Sequence, residues 1–166
     1  MAEKEPVRNA LERLVNRSEV EKAVRDPKFG ISTPVVRHFQ FVVVLTDSGA
    51  SADGDKINAL FAALIKTILE HHAAITTSSP SLLVALLGAP FDEPNSPEAR
   101  HALVDALGRA YGDHIRVVHG EADAPVGLFG GGGLRQAYDV AIPRFAEILA
   151  KLVALPPGAS AEFDRA

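Results

Sequence analysis

The chain predicts a mixed α+β sandwich of ferredoxin-like kind, with a mostly antiparallel sheet covered on one side by helices. Three observations carry this. Valine-rich runs too short for a lone helix, RHFQFVVVLT at 37–46 foremost, read as strands. Segments such as KINALFAALIKTILEHH repeat apolar residues at helical spacing. The segments follow one another as strand, helix, strand, strand, helix, strand, strand, helix, the order expected when helices pack on hairpin strands.

Residues 1–35 read as an N-terminal helical arm, with Val7, Leu11, Leu14 and Val15 at apolar positions and a stop near Asp26, Pro27 and Gly30. The main domain spans 36–160, and 161–166 reads as a tail. Its first strand, 37–46, is apolar without a break, which predicts a central, well-covered position. The following helix places Ile57, Leu60, Phe61, Leu64, Ile65 and Ile68 on one face. AAITTSSPSLLVALLGAP predicts two short strands joined by a tight turn at Ser79 and Pro80. Ser96 is placed to cap a second helix with Pro97 in its first turn. A strand at HIRVVHGE, a glycine-rich interruption, a strand within LRQAYDVA and the helix RFAEILAKLVAL complete the order. PPGASAEFDRA predicts a short edge strand or a frayed end.

Composition narrows the function. The 166 residues suit one domain with a sizeable core, and 47% hydrophobic against 23% charged residues is a globular balance. A formal net charge of -4, with no basic run, argues against nucleic acid and anionic lipid as partners. The absence of cysteine excludes disulfides, thiolate metal sites and cysteine nucleophiles. The charged start MAEKEPVRNALERLV has no apolar targeting core, and SLLVALLGAP is too short to span a bilayer, so the expectation is a cytoplasmic protein.

Familiar site motifs are missing. The glycines Gly130, Gly131, Gly132 and Gly133 lack the GK[ST] ending of a phosphate loop and read as a hairpin loop. The six histidines, with His71 and His72 at a helix end, form neither HExxH nor a second paired motif, so their spacing predicts no zinc site. No GxSxG elbow is present. Arg100, Arg109 and Arg116 read as a solvated surface.

Several motifs in sequence order resemble the class III adenylate/guanylate cyclase homology domain over roughly residues 38–160. FVVVLTDSGAS resembles the family's first strand ending in an aspartate, and Leu87-Gly88-Ala89-Pro90 falls on its Phe-Gly-Xxx-Pro hairpin ending. Gly127 and Gly130 meet a pair of glycines three apart, and AYDV resembles the Tyr-Asp-Val/Ile before the last functional helix. The resemblance implies a head-to-tail dimer with the four-glycine segment at its interface. In such a dimer two carboxylates hold two divalent ions, while the partner supplies an asparagine and an arginine.

Carried over residue by residue, most of that machinery is absent. Asp47 matches the first metal-binding aspartate, but Ser81 stands in place of the second, and a neutral hydroxyl does not replace a carboxylate on hard cations. Ser48 and Gly49 keep the smallness of the phosphate-gripping loop. The adenine-reading lysine falls on Thr77, while its usual partner aspartate is met by Asp139, which the bland reading pairs with backbone or with Arg135. The asparagine position falls on Ala146 or Glu147 and the arginine position on Ala150 or Lys151. A lysine lacks the bidentate fork.

The resemblance therefore implies a degenerate domain without catalysis, acting in dimerisation, protein interaction or regulation. The partner is a second copy or another cyclase-like or regulatory protein. No cofactor is expected, with Mg²⁺ or Mn²⁺ only alongside a bound nucleotide. A non-catalytic nucleotide sensor and a subunit of a heterodimeric cyclase are the alternatives.

Overall fold

The computed structural model describes Arg8, Glu12, Val15 and residues 17–25, 34–47, 53–129 and 137–166. Among them, α1 is Arg17–Arg25, β1 Val35–Thr46, α2 Gly54–Glu70, β2 Ala74–Ser78 and β3 Leu82–Leu87. Then follow α3 Pro97–Tyr111, a 3-10 turn at Gly112–His114, β4 Ile115–Phe129, β5 Ala137–Val140, α4 Phe145–Ala154 and β6 Ser160–Phe163. The four-glycine segment, Ser48 and Gly49 lie outside the described residues.

Local chemistry sets the helix starts. Asp53 caps α2 by accepting from the Asp55 and Lys56 amides at 3.1 and 3.3 Å. Ser96 accepts the Ala99 amide at 3.2 Å, and Pro97 opens α3 where no N–H is needed. At the far end of α2, Nδ1 of His71 donates to the Thr67 carbonyl at 2.9 Å, as suits a histidine at a helix C-terminus. The β2–β3 turn closes when Ser79 Oγ accepts the Leu82 amide at 3.0 Å.

The strands form one sheet in the order β2-β3-β1-β4-β5. All of these pairings are antiparallel, with β1 central and β4 beside it from Ile115 to Val126. β4 runs on to Phe129, well beyond the expected HIRVVHGE, and β6 pairs parallel with its first half, Val117 to Gly120. β6 crosses the 160–161 boundary at which a tail was expected, and its Phe163 is buried.

Strand alternation divides β1 between two cores. Val42 and Val44 pack with Leu64 and Ile68 of α2 and Leu103 and Leu107 of α3. Phe39, Phe41 and Val43 pack instead with Val15, Val20 of α1 and Ile148 and Leu152 of α4. The sheet is thus covered on both faces, which corrects the expectation of helices on one side. The unbroken apolar run of β1 is the reason, since every one of its side chains from 41 to 44 needs cover.

Candidate functional site

The two positions that the resemblance matches to metal-binding aspartates, Asp47 and Ser81, lie near the end of β1. The Thr46 amide donates to the Ser81 carbonyl at 3.0 Å, and the Thr46 hydroxyl donates to the Pro80 carbonyl, which fixes the β2–β3 turn beside Asp47. The Asp47 amide donates to the His114 carbonyl at 2.8 Å. The backbone of Ser81 is thus bonded to the residue before Asp47.

The Asp47 carboxylate is already engaged. Arg116 Nε donates to Oδ2 at 3.0 Å and Nη2 to Oδ1 at 2.9 Å, a fork-to-fork pair that occupies both oxygens. Both side chains are mostly covered, 26% and 20% exposed. Arg116 Nη1 reaches on to the Val153 carbonyl at 2.7 Å, tying the end of β1 to the last turn of α4.

Two arginines read as solvated surface thus have structural work, and that expectation is corrected. Arg116 is held between Asp47 and Val153. Arg100 is 2% exposed because it shares the spacing of Leu103, Val104 and Leu107 on the inward face of α3. Its guanidinium donates to Gln40 Oε1 at 2.7 Å and pairs with Glu162. The helical spacing was the available signal for Arg100; nothing local marked Arg116. Arg109 is exposed, as expected.

The base-reading positions come from elements that touch, since β2 lies against β5. Thr77 is exposed beside a bulge in β2 between Ile75 and Thr77. The hydroxyl of Thr76 in that bulge is buried without a hydrogen-bond partner. Asp139 accepts the Val140 amide at 2.8 Å and pairs in register with Gly127. Arg135 lies outside the described residues.

The positions expected to supply transition-state groups line the exposed side of α4. Glu147 is paired with Arg144 through bonds of 3.0 and 2.7 Å, and that pairing holds its carboxyl below the usual range. Lys151 Nζ donates to the Glu162 carbonyl at 2.6 Å. Arg144 and Lys151 both lie over the Phe163 ring, at 4.9 and 5.8 Å. Ala146 and Ala150 offer no polar atom.

A second polar group surrounds Arg100. The rings of His101 and His119 meet edge to face at 5.4 Å, with Glu162 alongside. His119 is 6% exposed, and its Nδ1 has no hydrogen-bond partner. Burial, reinforced by the Arg100 charge, lowers its pKa to about 4, so this imidazole is neutral at pH 7.

No protein-family profile matches the chain, and no curated protein matches it by sequence. Solved structures do match. The guanylyl cyclase Cya2 aligns over 78% of this chain and 76% of its own, with a TM-score of 0.58 and 12% identity. The dimeric guanylyl cyclase domain of the RhoGC fusion protein from the aquatic fungus Blastocladiella emersonii aligns over 75% and 78%, with a TM-score of 0.60 and 9% identity. The adenylyl cyclase CyaB from P. aeruginosa aligns over 77% and 78%, with a TM-score of 0.53 and 13% identity. Among the described residues, no helix is long and apolar enough to cross a membrane. This chain has the fold of the class III adenylyl/guanylyl cyclase domain.

Proposed function

We propose that this chain is a catalytically inactive cyclase-like domain, a cytoplasmic module that signals by dimerising or by binding a regulatory partner. One observation carries the reading: both oxygens of Asp47 are held by Arg116 of the same chain, while Ser81 occupies the neighbouring position. Two divalent ions need at least two anionic ligands near the triphosphate. Here the one carboxylate has both oxygens taken by a guanidinium, and the second position is a hydroxyl. The α4 positions support the same conclusion, because Glu147 is anionic and Lys151 is turned toward the backbone of β6.

Exposed apolar residues support an interaction role. Val35 and Val36 are 55% and 71% exposed at the start of β1, in register with Val126 and Pro125 of β4. Such a patch is covered when a partner adds to it. The test is the mass of the protein in solution, recorded alongside calorimetric titration with ATP and GTP in the presence and absence of Mn²⁺. The reading expects a dimer and no metal-dependent heat. Metal-dependent binding by a monomer overturns it.

The contact of β2 with β5 favours one alternative, a non-catalytic nucleotide sensor that reads a base with Asp139 and the Thr76–Thr77 bulge. Its mark is metal-independent binding that is lost in Asp139→Ala.

A further inference from the structure

We propose that His101, His119 and Glu162 form a binding site for one divalent transition-metal ion of borderline softness, Zn²⁺ foremost. The site lies under the first turns of α3, away from the Asp47 position. It does not depend on whether the chain cyclises nucleotides.

Strand register assembles it. His119 and Glu162 are paired residues on the parallel neighbours β4 and β6, so their side chains leave the sheet on the same face. That face is apolar further along β4, at Val117 and Ile115, and becomes polar at His119. Helix α3 crosses above and brings His101, next to the inward-facing Arg100, over the His119 ring.

One ligand atom from each of the three residues lies within 4.8 Å of the others. A four-coordinate ion with bonds of about 2.0–2.2 Å needs neighbouring ligand atoms about 3.4 Å apart. The remaining closure falls mainly to His101, which is exposed, while buried His119 and the Arg100-held Glu162 stay as anchors. Arg100 takes Oε1 of Glu162, so one carboxylate oxygen is oriented by the arginine and the other is left for a cation.

The donor set selects the ion. Two imidazoles and one carboxylate suit Zn²⁺ and its neighbours, with water in the fourth position, whereas Mg²⁺ and Ca²⁺ require oxygen ligands throughout. His119 also has a buried ring nitrogen, Nδ1, without a hydrogen-bond partner, which leaves the imidazole unclaimed by the surrounding protein. A bound ion would clip α3 to β4 and β6, fixing the C-terminal strand to the helix layer.

The test titrates Co²⁺, then Zn²⁺, into the full chain after treatment with chelator, following visible absorption and thermal unfolding. The expected result is one Co²⁺ per chain with the strong absorption of a four-coordinate centre, displaced by Zn²⁺, and a raised unfolding temperature. His101→Ala and Glu162→Gln should each weaken binding by about tenfold or more, whereas His72→Ala should leave it unchanged. His101 is exposed, so its variant keeps the fold. No stoichiometric binding, or binding that survives His101→Ala, overturns the proposal. So does binding that is lost equally in His72→Ala.

Discussion

Acid should destabilise this protein through His119 in a way that one substitution removes. In the fold the imidazole is desolvated and faces Arg100 of α3, and both disfavour its protonated form, as does His101 of α3 to a lesser extent; Glu162 of β6 and Asp105 of α3 act in the other direction. Its pKa is about 4, against 6.5 for an ordinary histidine. Between these values the unfolded chain binds a proton that the native chain does not, so lowering the pH favours unfolding. The contribution is intact above pH 6.5, fades as pH falls toward 4, and is fully lost below the folded value. Such a difference in pKa corresponds to about 3 kcal/mol, a large share of the roughly 5–15 kcal/mol of a typical domain. Urea unfolding from pH 7 to pH 4, with chelator present, measures it. His119→Gln shares every other titrating group, so the wild type should lose about 3 kcal/mol more than the variant over this window. Parallel pH profiles for the two proteins would mean that His119 does not carry this acid sensitivity.

Other expectations follow from single contacts. Arg116→Ala strands the mostly covered Asp47 carboxylate and should cost about 1–3 kcal/mol in denaturant unfolding, with Asp47→Asn/Arg116→Ala less than additive. Gly88→Ala should cost about 1–3 kcal/mol by the same measurement, because Gly88 sits at φ +92 and a Cβ there would come 2.4 Å from Asn95 Cγ. Asn95 cannot readily yield, since its amide donates to the His38 carbonyl at 3.1 Å. Phe163→Ala removes a buried ring held under Arg144 and Lys151, and should lower stability by about 3 kcal/mol.

Much of the fold was legible because local signals agreed with one another. The valine run of β1, the capped helix at Ser96 and the Ser79–Pro80 turn each carry their own chemistry within a few residues. The cover on the second face was not legible. It depends on α4 returning across the sheet to bury Ile148 and Leu152 against Phe39 and Phe41, a matter of chain path rather than of periodicity. The short strand read in PPGASAEFDRA is β6, but its pairing was hidden for the same reason, since its parallel partner β4 precedes it by a whole helix.

The candidate site divides likewise. Asp47 at a strand end and Ser81 in a hairpin could be read along the chain, and the main-chain bond from Thr46 to Ser81 joins those two segments. The partner of Asp47 did not follow, because Arg116 comes alongside only through the register that sets Thr46 opposite Ile115. The His101, His119 and Glu162 group escaped sequence reading too, as its members reach one place from α3, β4 and β6 and share no motif.

On the proposed function, the cyclase fold persists here without cyclase chemistry. Cyclic nucleotide formation from ATP and from GTP with Mn²⁺, measured on the purified chain at high protein concentration, tests it most directly. No product above the uncatalysed background is expected. Sustained production of cyclic AMP or cyclic GMP that disappears in Asp47→Asn would contradict it, because Asp47 would then be holding metal rather than Arg116.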